Sequence, residues 1–178
     1  LEGIDGGSEE ALNTVLDSGT EHVALVLDYS TIPAPTYVIT NAFSNGITWT
    51  APFDGLMTAN GSVRGSAGGT RGSLVIFEEE DTTTGATSSV QVSTIADTDE
   101  GRVFMFLHSV TGTIASNVVI QVQSSDDNSN WDTIATFTMD SLQSDVATVT
   151  YTGPYIRANV TSLGGTTAIV YSVIVVED

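Results

Sequence analysis

From His22 to the end of the chain, apolar and polar residues alternate with a period of two, and clusters of Gly, Asn, Asp and Ser interrupt the alternation at short intervals. Alternation puts successive side chains on opposite faces of an extended strand, and the interrupting residues are those that tolerate tight turns. The pattern predicts strands at about 22–28, 36–41, 46–51, 56–64, 73–79, 88–95, 102–109, 117–123, 131–138, 146–151, 155–161 and 167–176. Helical spacing occurs once, in "SEEALNTVLDSG", where Ala11, Leu12, Val15 and Leu16 share a face, Ser8 can cap the start and Gly19 can stop the end. Short strands without intervening helices predict an all-β chain, an antiparallel β-sandwich or jelly roll behind a short N-terminal arm or helix.

The arm is expected over residues 1–21, because "LEGIDGGSEE" is too polar and glycine-rich to build a core, and the sandwich over residues 22–178. The stretch "ADTDEG" at residues 96–101 breaks the pattern and marks a subdivision that would leave six strands in a C-terminal half. With no internal repeat and no Pro-rich linker, one sandwich domain is the expectation. "RVFMFLHSV" is apolar almost without interruption and predicts a strand covered on both faces or lying centrally. "RGSAGGTRG", with four glycines and two arginines, predicts a loop or mobile tip.

At 178 residues the chain can bury about 70% of the surface its unfolded form exposes, enough for a core without staples. It has no cysteine, which excludes disulfides, thiolate nucleophiles and thiolate metal sites. The longest apolar run, Ala168 to Val176, falls short of the roughly 20 residues of a spanning helix, so a soluble protein without membrane contact is expected. No basic and apolar leader opens the sequence, so no signal peptide is expected; a start at Leu1 fits equally a processed terminus and a leader that lies outside the sequence. Twenty-two acidic residues face only four arginines (Arg64, Arg71, Arg102, Arg157), a formal charge of −18. That balance repels phosphate backbones and excludes nucleic acid as a direct partner, while an acidic surface keeps crowded copies apart in solution.

Candidate chemistry is sparse. In "QVQSSDDNSNWDTIATF", Asp126, Asn128, Asn130 and Asp132 fall at every second position and supply oxygen ligands of the kind calcium prefers. Against that, the sixth and twelfth positions of an EF-hand loop, where Gly and Glu belong, hold Trp131 and Phe137, and Asx residues make turns on local grounds alone. The favoured reading is a hairpin turn with no resident metal and no cofactor. "DTDEG" (Asp97, Asp99, Glu100) and "FEEED" (Glu78 to Asp81) read as solvated charge after strand ends, with Arg102 as a neighbouring partner for the first. His22 and His108 stand in no nucleophile, zinc or triad pattern, and nothing singles out a carboxylate pair for glycoside hydrolysis, so no catalytic residue is assigned and an enzyme is not expected. Trp49 and Trp131 both lie near turns, where an aromatic could serve as a sugar platform; alternation instead places Trp131 in the core.

"VVIQVQSSDDNSNWDTIATF" followed by "GPYIRANVTSLGGTTAIVYSVIV", within residues 118–176, resembles a β-sandwich module of tailed-bacteriophage structural proteins: strand, polar Asp/Asn turn, tryptophan, a second strand and turn, and a valine-rich last strand. Asn128 stands where that turn usually has glycine. Upstream, "ITWTAPFDGLMTANGSV" is similar to a strand pair of jelly-roll trimer heads of the tumour-necrosis-factor shape. The resemblance implies a non-enzymatic virion part, a capsid decoration (cement) or fibre protein on the virion exterior. It would be assembled in the host cytoplasm, form a homo-oligomer (a trimer for preference), and bind the major capsid protein or another virion protein, docking through the N-terminal arm (about Leu1 to Glu21) and nearby loops. The alternative is a carbohydrate-binding or adhesion module using Trp49 or Trp131.

Overall fold

Strand-forming residues do form strands. The computed structural model describes residues 21–26, 31–50, 58–65 and 69–178, with side chains for 31–39 and 70–178 apart from residue 78. The described elements are β1 (Glu21–Val26), β2 (Ala34–Thr50), β3 (Thr58–Gly65), β4 (Gly69–Asp81), β5 (Gly85–Ala86), β6 (Val90–Gln91), β7 (Glu100–Thr111), β8 (Val118–Ser125), β9 (Asp132–Met139), β10 (Ser144–Thr150), β11 (Tyr155–Leu163) and β12 (Ala168–Glu177). Among the described residues there is no helix, and every strand pair with a defined register is antiparallel. The helix expected over residues 8–19, and the arm apart from Glu21, lie outside the described residues.

The chain separates into two compact units, Leu1–Ala24 with Val38–Thr70, and Leu25–Tyr37 with Arg71–Asp178. In the first, β2 pairs with β3 from Ala42↔Gly65 to Thr50↔Thr58, with a register shift between Ser44 and Ile47. The two strands expected at 36–41 and 46–51 are thus one strand with an irregularity in it. The second unit is a sandwich. One sheet runs β4, β12, β7, β10; the other is five-stranded, ordered β5, β11, β8, β9 with β6 also on β11. The turn at 96–101 lies inside this unit, and Val92 and Ile95 before it share a core with Val103 after it.

That core fills the space between the sheets. Val103, Met105 and Leu107 of β7 and Ile169, Tyr171, Val173 and Val175 of β12 belong to one cluster with Val118, Ile120 and Val122 of β8, Ala135, Phe137 and Met139 of β9, and Ile156, Ala158 and Val160 of β11. Each Val, Leu, Ile, Met or Phe among them contributes about 1.5–3 kcal/mol by leaving water. The alternate positions divide the two sheets. On β7 and β12, Phe104, Ile174 and Val176 are buried as well, so these strands are apolar on both faces, as the uninterrupted run in β7 predicts. On β8, β9 and β11 the alternate positions are polar apart from Val119: Gln121, Gln123, Thr136, Thr138, Arg157 and Asn159.

Two glycines record how closely these strands pack. A Cβ on Gly101 would collide with the Val176 carbonyl oxygen, and one on Gly72 would lie 2.6 Å from the Val175 carbonyl oxygen. The second explains a correction: "RGSAGGTRG" was expected to be a loop, yet Gly65 ends β3 and Gly69–Gly72 open β4. Glycine is needed there because a neighbouring backbone sits where a side chain would go. Similarly, "FEEED" lies within β4 rather than after it, with Glu79 opposite Tyr171 and Glu80 opposite Val170.

The face assignment of β9 is testable. Phe137→Ala is expected to lower the unfolding free energy by about 3–5 kcal/mol. Thr136→Ala, one residue away and exposed, should stay within about 0.5 kcal/mol of the parent. Urea denaturation followed by circular dichroism measures both, and equal losses would place the two residues wrongly.

Candidate functional site

The turn between β8 and β9 is organised by Asp127, which the every-second-residue reading passed over. Its Oδ1 accepts hydrogen bonds from the backbone N–H of Asn130 at 2.7 Å and of Ser129 at 2.9 Å, and from the Ser125 hydroxyl at 3.1 Å. Its Oδ2 accepts from the Asn130 side-chain amide at 2.7 Å. These donors favour the charged form, the Asn130 N–H first and that of Ser129 next, and lower the carboxyl from its ordinary 3.8 to about 2. Asn128 takes the left-handed conformation at φ +57°, one that Asn tolerates, and its side-chain oxygen accepts from the Ser89 hydroxyl at 2.7 Å. Asp126 is exposed, and Asp132 opens β9 opposite Ser124. Of the four residues considered for calcium, then, Asn128 and Asn130 are engaged in holding the turn. Among the described residues no group of three or more His, Asp or Glu side chains is placed to hold a metal.

Trp131 follows this turn, and its position departs from the expected one. Simple alternation puts it on the same face as Ala135 and Phe137, in the core. The β8–β9 register instead shifts between Val122↔Ala135 and Gln123↔Thr133, which leaves Ile134 as an extra residue. A bulge of one residue reverses the phase of everything before it. Trp131 is therefore half-buried and outside the core cluster, with the Arg157 guanidinium carbon 4.1 Å from its ring centroid. Trp49 lies opposite Ala59 in β2, and its side chain is outside those described.

The bulge assembles a continuous outward face on the second sheet. Arg157 Nε donates to Gln123 Oε1 at 2.8 Å, and Gln123 Nε2 donates to Thr133 Oγ1 at 3.3 Å. One row further along, Asn159 Nδ2 donates to Gln121 Oε1 at 3.2 Å. Pairing explains the contacts, since Arg157 is opposite Gln123 and Asn159 opposite Gln121. Tyr155 occupies the next alternate position of β11 and is half-buried. Nothing local in the sequence links Trp131 to Arg157; the only clue is that "YIRAN" alternates, so Arg157 and Asn159 must share the face opposite Ile156 and Ala158.

The remaining reactive groups are tied into the frame. Tyr151 shares its hydroxyl proton between the Val176 carbonyl at 3.1 Å and that of Arg102 at 3.2 Å, and burial pushes its ionisation above the usual range. Tyr171 donates to Asp81 at 2.7 Å, and burial, with that bond next, raises its ionisation likewise. His108 Nε2 is 2.8 Å from Ser172 Oγ, and its ring stacks on Phe106. His22 lies in β1, its side chain outside those described. Arg102, expected to serve the acidic cluster at residues 97–100, pairs with Asp178 at 2.6 Å, while Asp99 accepts the Ala96 N–H at 2.7 Å and so closes its own turn. The physical reason is register: Arg102 lies opposite Val176, two residues from Asp178.

Two cavities open beside β4. One, of about 340 Å³, is lined by Ile32, Val75, Phe77, Glu79, Thr87 and Val90 among others. The other, of about 310 Å³, includes Arg71, Ser73, Thr94, Ile95 and Glu177. Compared with known proteins, the sequence matches no family model and no curated protein.

Asp127 gives a pH signature. Its folded-state ionisation is depressed, so it stabilises the fold above pH 3.8, its ordinary value, and that contribution disappears as the pH falls through about 2. Asp127→Asn, which cannot titrate, is expected to be less stable than the parent at pH 7, with the gap closing between about pH 4 and 2. Urea midpoints of both proteins across that range would show it; a gap constant with pH would refute the role.

Proposed function

We propose that the protein is a non-enzymatic structural component of a virion, a capsid decoration (cement) protein that binds the major capsid protein or another virion protein from the particle exterior and acts as a symmetric oligomer, a trimer for preference. The single observation that carries this reading is where the polar chemistry goes. The hydroxyls of Tyr151 and Tyr171, the His108 ring and the Asp127 carboxylate all make hydrogen bonds that close strands and turns. A sandwich stiffened in this way supports a role in which shape and binding free energy are the activity.

The lattice-facing surface fits best at the cavity beside β4, where Ile32 and Phe77 are 38% and 37% exposed. Large apolar side chains that keep more than a third of their surface exposed beside a cavity are the usual mark of a surface that meets another protein. The charge of −18 complements this, holding free copies apart until they dock on a less acidic surface.

Mixing the purified protein with undecorated capsids and counting bound copies tests the proposal. Binding is expected to saturate at a copy number fixed by lattice symmetry and to slow thermal disassembly of the particle. Phe77→Asp should weaken binding at least tenfold, about 1.4 kcal/mol, while the urea midpoint stays close to the parent's. Absence of saturable binding ends the proposal, and full binding by Phe77→Asp moves the docking surface elsewhere.

A further inference from the structure

The outward face of β11, β8 and β9 calls for a different ligand chemistry. In a chain with 22 acidic residues, the alternate outward positions of these strands hold none, and their one charged residue is Arg157. A face that only met solvent would be expected to share in the acidic surface. This one instead carries planar amides, a guanidinium and two aromatic rings. We propose that it is a binding face for an uncharged glycan, with Trp131 and Tyr155 as apolar platforms and Gln121, Gln123, Arg157 and Asn159 as the hydrogen-bonding row. The inference is independent of the capsid reading, which uses a different surface.

Three features favour this ligand class. The first is spare bonding capacity. A carboxamide offers two N–H donors and an oxygen with two lone pairs, so the single bond between Asn159 and Gln121 leaves donors and acceptors for the paired hydroxyls of a sugar. The second is preorganisation. The Arg157–Gln123–Thr133 chain and the stack of Arg157 on Trp131 hold long side chains in place before a ligand arrives, which removes part of the ordering cost of binding. The third is geometry. Neighbouring strands repeat every ~4.8 Å, on the scale of one sugar ring, so an extended chain lying across them meets a polar row at each step. Trp131 is only half-buried, so part of the indole remains for the C–H face of a pyranose. The class is further narrowed by charge, since a molecule at −18 repels uronic and sialylated chains.

Affinity electrophoresis through gels containing laminarin, xylan, galactomannan or dextran, with alginate as the acidic comparison, tests the assignment. The full chain is expected to be retarded by at least one neutral polysaccharide, to run freely in alginate, and to keep its retardation in EDTA. Trp131→Ala should reduce the affinity at least tenfold. In case that variant unfolds, the double variant Gln121→Ala/Asn159→Ala, which leaves Trp131 and Arg157 in place, should show the same loss with an unchanged urea midpoint and undiminished capsid binding. Free migration of the folded protein in all four neutral gels overturns the proposal. So does retardation that survives the double variant, is stronger in alginate, or vanishes with EDTA.

Discussion

Strand β12 is the constraint on which the rest depends. It pairs with β7 along one edge and β4 along the other, and nearly all of its side chains are buried on both faces. A backbone so enclosed has no water to turn to, and each polar group left unpaired would cost about 1–3 kcal/mol. Both neighbours must therefore follow it along its length, and they do so by absorbing mismatches. The β7 register shifts at Val170/Tyr171 and the β4 register at Tyr171/Val173 and Val173/Ile174. The bulged strands bend around β12 rather than the reverse. Tyr171, at the centre of these shifts, is anchored by its bond to Asp81, so the one polar side-chain atom it carries into the core leaves through the rim.

This enclosure divides the labour between the sheets. Because β12 and much of β7 spend both of their faces on burial, the outward face of the second sheet is left to present ordered polar chemistry. The sequences of the strands already differ in this way: "AIVYSVIVVE" is nearly continuous, whereas "DTIATFTM" alternates. A strand apolar on both sides cannot offer a recognition surface, and a strand apolar on one side must offer some surface. The content of that surface is then the informative part. Amides locked to one another across strands, free of acid in an acidic chain, are harder to explain by solubility than the acidic turns and strand ends elsewhere.

How much of this could be read from the sequence depends on whether the deciding interaction is local. The strands from 102 to 176 and the class of fold follow from alternation and turn chemistry, both of which act over a few residues. The strand expected at 88–95 shrinks to Val90–Gln91 because the chain turns straight after it, with the Ile95 N–H bonding to the Val92 carbonyl, and neither Ser93 nor Thr94 is a residue that announces a turn as Gly or Asn would. Propensity penalises glycine in strands and so predicts a loop at Gly69–Gly72, but the close approach of Val175 and Val176 to Gly72 is invisible in composition. Sequence proximity pairs Arg102 with the acidic cluster at residues 97–100, while strand register delivers it to Asp178. The acidic cluster of the β8–β9 turn was legible as a turn, and Asp127, followed by Ser and Asn two and three residues on, carries the signature of a side chain that caps its own backbone.

The turn and the recognition face are one device. Asp127 fixes Asn130 through both its backbone and its side chain, and Asn130 precedes Trp131, so the carboxylate sets where the indole begins. The extra residue at Ile134 then sets which side of the sheet the indole occupies. Neither part would suffice alone: an ordered turn without the bulge would send Trp131 into a core already filled by Phe137 and Met139, and a bulge after a loose turn would leave the ring unplaced over Arg157. An acidic cluster that invites comparison with a cation site therefore has a sufficient role without one, as the clamp that points an aromatic ring across a row of amides.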